Sequence, residues 1–388
     1  MVINVELFSL NLKMSKRIAQ AVKESGGRVF FVGGYVRDKI LGRQSKDIDI
    51  EIHGITLQTI SEILSELGEV LEMGASFGIL GLRHYSLDIV LPRSIETGEI
   101  DPFIGTKEAA RRRDFTINAI MMDVLTGEIL DFFGGLDDID DRLLRHVDDY
   151  TFLADTLRVF RAARFSASFD FEIDEATRLL CSSADISNLA VERVFGEVEN
   201  VLTKSKQPSR FFDELERMRQ LSFWFPEIRN VNRNILDKAA DFRQKSSFKT
   251  GFMLASLCHG LPESDTARFI SRLTNDKRIN EYVASVSRLA SKEITMKVLD
   301  ESVCPDDLAL LSEVITGRSS SEILALYHSR MSQPYVTGAD LLREGVTPGP
   351  LIGKALRHVH ELRLSGASKD VQLREAMNFI RSEKQKND

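Results

Sequence analysis

The hydrophobic period of this 388-residue chain changes once, near its first third, and that change restricts the fold more than any other feature. In the first third, short β-rich runs predict strands at Arg28 to Val32, Asp47 to Ile52, Ile79 to Leu82 and Ser86 to Leu91, with a helix after Thr56. From about Thr151 onward apolar residues recur at helical spacing, as around Leu157, Phe160 and Phe165. An α/β unit followed by an almost wholly helical remainder is therefore expected. Prolines at 208, 226, 262, 348 and 350 mark turns between helices, because proline lacks the donor that a helix interior needs. The polar stretch from Glu383 is expected to fray.

Such a length is too great for one ordinary core, so two or more packed units are expected. No apolar run reaches membrane-spanning length, and no secretory signal is legible at Met1 to Arg17. Cys181, Cys258 and Cys304 are odd in number, far apart and without metal-ligand spacing, which suits reduced thiols in a cytoplasm. A net charge of −7 opposes bulk attraction to nucleic acid, so any RNA substrate must be held by local basic patches.

Two segments carry the chemistry. In Phe30-Phe31-Val32-Gly33-Gly34-Tyr35-Val36-Arg37-Asp38 a strand runs into a glycine pair and then a helix. Glycines let backbone N–H groups approach a phosphate, the helix start adds favourable partial charge, and Arg37 lies one turn further on. The commonplace alternative is a tight turn. In Asp47-Ile48-Asp49-Ile50-Glu51-Ile52, after Lys46, alternation sends the isoleucines to one face and the acids to the other. A solvated polar face is the ordinary meaning of that pattern. Aspartate is nevertheless a poor strand former, and adjacent like charges are costly unless a cation relieves them. Mg²⁺ bound by Asp47 and Asp49 meets that need, and Asp88 supplies a third carboxylate to the same cluster.

The order and spacing of Gly33-Gly34-Tyr35-Val36-Arg37-Asp38 and Asp47-Ile48-Asp49 resemble the first motif of class II tRNA nucleotidyltransferases and bacterial poly(A) polymerases. Arg111-Arg112-Arg113-Asp114-Phe115-Thr116-Ile117-Asn118-Ala119 resembles their sugar-recognition motif, and Asp131-Phe132-Phe133-Gly134-Gly135 their head-to-neck hinge. The stretch Asp155 to Phe165 is similar to the neck helix that selects the incoming base. The resemblance implies that Gly33, Gly34 and Arg37 hold a triphosphate, that Arg113, Asp114 and Asn118 serve the nucleotide, and that Asp155 and Arg158 read the base edge. Arg161 and Arg164 then help with phosphates or anchor the helix. Helical spacing places Asp155, Arg158 and Arg161 on one face.

The implied architecture is a nucleotidyltransferase head with a small mixed sheet (1–140), a helical neck (141–235), a helical body (236–330) and a tRNA-binding helical tail (331–388). The implied activity is template-independent addition of all or part of the 3′-terminal CCA of tRNA from CTP and ATP, with Mg²⁺. Lys354, Arg357 and Arg363 are tail candidates for backbone contacts. Glu192 to Glu197, Lys206 to Arg210 and Phe223 to Glu227 resemble the neck and its continuation, with their aromatic residues read as core. Around His259 the chain resembles a His-Asp phosphohydrolase segment, but Gly260 replaces the metal-binding aspartate, so no hydrolase is expected. Ala154 stands where the family has an acid, and the Pro92 to Arg111 connection is short where relatives carry a loop associated with the switch from C to A addition. CC-only or terminal-A addition, a poly(A) polymerase and an inactive RNA-binding relative are the rival readings. Oligomeric state is not legible.

Overall fold

The computed structural model describes residues 5–45, 47–72 and 79–385. Contacts divide the chain into two units, one of Met1–Glu197 with Arg210–Phe223, the other of Val198–Ser209 with Trp224–Asp388.

In the first unit, helix α1 (Val5–Glu24) precedes strand β1 (Arg28–Val32), helix α2 (Gly34–Ile40), strand β2 (Ile48–His53) and helix α3 (Leu57–Leu67). Strands β3 (Val70–Glu72), β4 (Ile79–Leu82) and β5 (Leu87–Val90) follow, then helix α4 (Thr106–Arg111), a 3₁₀ turn at Thr116–Asn118, and strands β6 (Met121–Asp123) and β7 (Ile129–Leu130). Together they form a seven-stranded sheet in the order β3-β4-β5-β2-β1-β6-β7. Only β2 and β5 pair in parallel, which makes the sheet mixed. The four strands expected from the sequence form within a residue or two of their anticipated ends, and Thr56 caps α3 by accepting from Thr59 N–H.

Alternation in β2 works as expected on one side. Ile48, Ile50 and Ile52 are fully buried. Glu51, however, is 3% exposed, so this is not a solvated polar face. Protein covers Glu51, whose carboxylate therefore needs partners, while Asp49 is half-buried and Asp47 exposed.

Helix α5 (Gly135–Asp140) begins at the Asp131-Phe132-Phe133-Gly134-Gly135 motif. Asp131 accepts from the backbone N–H groups of Gly135 and Leu136, both at 2.9 Å, while Gly134 takes φ 75°. Gly135 packs its Cα side against the Thr116 carbonyl, where a Cβ would lie 2.3 Å from the oxygen.

Strand β8 (Leu143–Leu144), helices α6 (Asp149–Leu153) and α7 (Arg158–Phe169), and strand β9 (Glu172–Ile173) come next, β8 pairing with β9 in parallel. Asp155 was expected to lie within a continuous helix with Arg158. It stands instead in the turn between α6 and α7, since α7 starts at Arg158. Aromatic packing also departs from expectation at one position: Trp224 and Phe225 are buried, whereas Phe223 is 54% exposed.

The second unit is helical among its described residues, from Asn234–Phe242 to Lys369–Gln385. Helix Lys249–Leu257 is buried from Thr250 to Leu257. A separate apolar cluster of Val336, Leu341, Val346, Ala355, Val359, Ala376 and Ile380 holds the last helices. The predicted proline breaks fall at helix starts: Ser209–Arg217 after Pro208, the 3₁₀ turn from Pro226, Glu263–Leu273 after Pro262, and Pro350–Leu364. No helix of the described residues is long and apolar enough to cross a membrane.

Replacing Gly135 by Ala should destabilise the protein by about 1–3 kcal/mol, because the Cβ meets a backbone carbonyl that cannot rotate away. Gly196→Ala, in a helix with open space at its Cβ position, should be neutral or stabilising by about 0.5–1 kcal/mol. Thermal unfolding of the two variants checks both signs.

Candidate active site

Register builds the site. Asp49 on β2 lies directly abreast of Asp88 on β5 in the parallel pair, and Val32 at the end of β1 is opposite Asp49 on its other side. Asp47 immediately precedes β2. Burial, then Asp88, then Asp47 push the Asp49 carboxyl up to about 6 against the opposing pull of Arg113. Asp88 is raised by burial and by Asp47. Three hard oxygen donors thus repel one another at the mouth of the β1–α2 turn.

The glycine turn is fitted to these carboxylates. Gly33 adopts φ 62° and ψ −131°, a conformation suited to glycine, and a Cβ on it would sit 3.5 Å from Asp49 Oδ2 and 3.7 Å from Arg113 Nη1. Gly34 then opens α2. No side chain caps that helix start, so its first N–H groups have no side-chain acceptor at the cap.

Arg37 does not extend into open space. Its guanidinium is buried, donates to Asp38 Oδ1 and Asn118 Oδ1 (2.7 Å each at the closest nitrogen), and lies 4.4 Å from the Phe169 ring centroid. Asn118 in turn donates to Asp114 Oδ1 at 2.9 Å. The glycine turn is thereby fastened to the arginine-aspartate segment.

Asp114 is a hub. Its second oxygen receives both Nε and Nη2 of Arg161, at 2.7 and 2.5 Å. Full burial alone would raise its pKa, but Arg161, Asn118 and Arg158 bring it down to about 2. Arg164 pairs with Glu197, to which Arg161 also comes within 3.8 Å. Arg161 and Arg164 therefore anchor helix α7. Arg158 donates to the carbonyls of Arg112 (2.6 Å) and Arg113 (3.3 Å), and Asp155 pairs with Arg193 at 2.9 Å. The structure thus gathers the expected residues around two connected sets: the carboxylates with the glycine turn, and the Asp114 hub with α7. Sequence reading missed Asp38 as the partner of Arg37 and Phe169 as its stacking face. Only the adjacency of Asp38 hinted at the first, and nothing local marked the second.

Among the described residues no group of three or more His, Cys, Asp or Glu side chains is close enough to cage a metal ion. Asp47 and Asp49 offer carboxylate oxygens, the donor chemistry of Mg²⁺, which commonly takes one or two carboxylates and completes its shell with water and phosphate.

Residues 29–145 match the family model of the poly A polymerase head domain. The CCA-adding enzyme of Lactococcus lactis is 29% identical over 385 residues, covering 92% of this chain and 94% of that protein. The chain is thus similar to the poly A polymerase head domain over residues 29–145 and to CCA-adding enzymes over most of its length. Its fold agrees with solved structures: the Bacillus stearothermophilus CCA-adding enzyme in complex with CTP superposes with a TM-score of 0.77 at 21% identity, covering 97% of this chain and 99% of that one. The Thermotoga maritima CCA-adding enzyme complexed with tRNA_CCA gives 0.70 at 21% identity and 94% coverage of each chain. The segments that carry the resemblance fall on the turn, strand and helix that meet here.

Asp49 supplies a pH test. Its folded pKa lies above the ordinary 3.8, so its contribution to stability is present below about pH 4 and lost as pH rises through 6. Without divalent ions, Asp49→Asn should become more stable than the parent across that window, reaching a difference of ~1–3 kcal/mol by pH 7. Chemical denaturation at pH 4.5 and 7.0 checks the sign.

Proposed function

We propose that this protein adds the 3′-terminal CCA of tRNA, wholly or in part, from CTP and ATP without a nucleic-acid template. One observation carries the reading: Asp49 and Asp88 stand side by side at a glycine turn whose helix start is free to receive phosphate, within a chain similar to CCA-adding enzymes over 92% of its length. The complexes with CTP and with tRNA_CCA solved for proteins of the same fold identify the substrates that this reading assigns.

In this reading Asp47 and Asp49 hold Mg²⁺. When bound, that ion would lower the pKa of the attacking hydroxyl and stabilise the pyrophosphate that leaves as the α-phosphate is transferred. Gly33 and Gly34 present backbone N–H groups to the phosphates, and Gly33 carries no side chain on the side that faces Asp49. Asp88, its carboxyl raised by burial and by Asp47, receives the proton of the RNA 3′-hydroxyl. Arg113 balances the acidic cluster from the other side, and the Asp114 hub fixes the position of Arg158 relative to it. Asp155 and Arg158 read the base edge, for which the Arg193 pairing of Asp155 must open. The cytoplasm is the proposed location, and Lys354 and Arg357, both exposed, contact the tRNA backbone. Arg363 has a different part, since it donates to the Met331 carbonyl and stacks on Tyr335 at 4.0 Å.

The test is an extension assay with Mg²⁺ and tRNAs ending before CCA, after C and after CC, given CTP and ATP singly and together. Completion to CCA from all three is expected. Arrest after CC, or use of the CC-ended tRNA alone, would make it a partial adder; long A tails would make it a poly(A) polymerase; and no addition would leave an inactive RNA-binding relative.

Asp49→Ala should abolish addition with the thermal transition retained, because a carboxylate near the start of β2 that repels its neighbours adds little to the core. Arg158→Ala should lower discrimination against GTP and UTP by roughly 10–100-fold, the worth of one paired base contact. An unchanged ratio of nucleotide use would exclude α7 as the base reader.

A further inference from the structure

Glu51 and His53 belong to no family motif quoted above, yet they form a buried chain of hydrogen bonds that ends at the site. Glu51 is 3% and His53 6% exposed. One carboxylate oxygen of Glu51 meets His53 Nε2 at 2.8 Å, and the other accepts from Arg113 Nη2 at 2.7 Å. The second ring nitrogen of His53, Nδ1, faces the Ile104 carbonyl at 3.2 Å. Both ring nitrogens thus face oxygen acceptors. Edge-on packing against Phe30, with ring centroids 5.6 Å apart, fixes the ring plane.

We propose that Glu51 and His53 are positioning residues that hold Arg113 over the carboxylate and glycine turn, and so set the affinity for the nucleoside triphosphate. Three features of the geometry support this. β2 is a straight two-residue repeat, so Asp49, Glu51 and His53 project from one face, and the strand that carries Asp49 also carries the brace for the opposing cation. A guanidinium paired through one nitrogen has its remaining N–H groups to offer: Arg113 Nη2 is engaged by Glu51, while Nη1 lies 3.7 Å from the Cβ position of Gly33. Burial makes the brace stiff, because a carboxylate removed from water keeps its partners rather than exchanging them with solvent. The ends of the chain are fixed independently, His53 by the Ile104 carbonyl and Arg113 by its place after α4.

This inference rests on the nucleotidyltransferase reading of the site, and a double-mutant cycle separates the two. The Kd for CTP in Mg²⁺ and the KM and kcat for CTP would be measured for the parent, Glu51→Gln, His53→Gln, Arg113→Ala, and Glu51→Gln with Arg113→Ala, alongside each thermal transition. Expected are a rise of about 10-fold in Kd and KM for Glu51→Gln, a smaller rise for His53→Gln, a much smaller change in kcat, and no further rise when Glu51→Gln is added to Arg113→Ala. Equal fold-changes from Glu51→Gln with and without Arg113 would overturn the positioning role, as would a Kd unchanged in both single variants. Should Glu51→Gln fail to fold, His53→Gln with and without Arg113→Ala gives the same comparison. Failure of the site reading looks different: the parent would bind no CTP, or Arg113→Ala would leave CTP binding untouched.

Discussion

Two parallel strands in one register set the terms for the rest of the head. Because β2 and β5 align Asp49 with Asp88, two carboxylates meet at the sheet's end with Asp47 close by. A protein does not gain stability from burying Asp49 beside the other two, and burial first, then Asp88 and Asp47, push its carboxyl up to about 6. The surroundings read as a response to it. Gly33 leaves room beside Asp49, the uncapped start of α2 contributes partial positive charge, and Arg113 approaches from the far side. Strain of this kind is characteristic of sites that wait for a charged ligand.

A second set of charges does the opposite work. Asp114, held at about 2 by Arg161, Asn118 and Arg158 despite its burial, is satisfied by donors from its own segment and from α7. Arg164 and Glu197 continue that network. Paired and enclosed charges such as these are costly to break, so they fix the position of α7 relative to the arginine-aspartate segment. Arg37 bridges the two sets through Asp38, Asn118 and the Phe169 ring. Carboxylate repulsion and structural attraction are thus adjacent but assigned to different residues.

The mixed architecture was legible because period two and period 3.6 leave different traces, and the isoleucines of β2 and the prolines at helix starts read true. The carboxylates were legible because aspartates alternating with isoleucines contradict strand propensity. What escaped is nonlocal or depends on a turn. Asp155 sits outside α7 although its spacing fits a helix, because the chain turns between Leu153 and Arg158. Glu51 looked solvent-facing by alternation alone, and its partner Arg113 is 62 positions away. Phe223 shares the composition of its buried neighbours yet points to solvent. The division of the chain into units interleaves segments around residues 198 to 223, a pattern that composition does not mark.

The central proposal is that Asp47 and Asp49, with Asp88 beside them, share a divalent ion with a triphosphate. Titration of the protein with Mn²⁺, followed by electron paramagnetic resonance with and without a non-hydrolysable CTP analogue, tests it most directly. The account predicts weak Mn²⁺ binding alone, at least tenfold tighter binding with the analogue beyond the analogue's own affinity for the ion, and loss of that enhancement in Asp49→Asn. Equal Mn²⁺ binding by the parent and Asp49→Asn, with the analogue present, would contradict it.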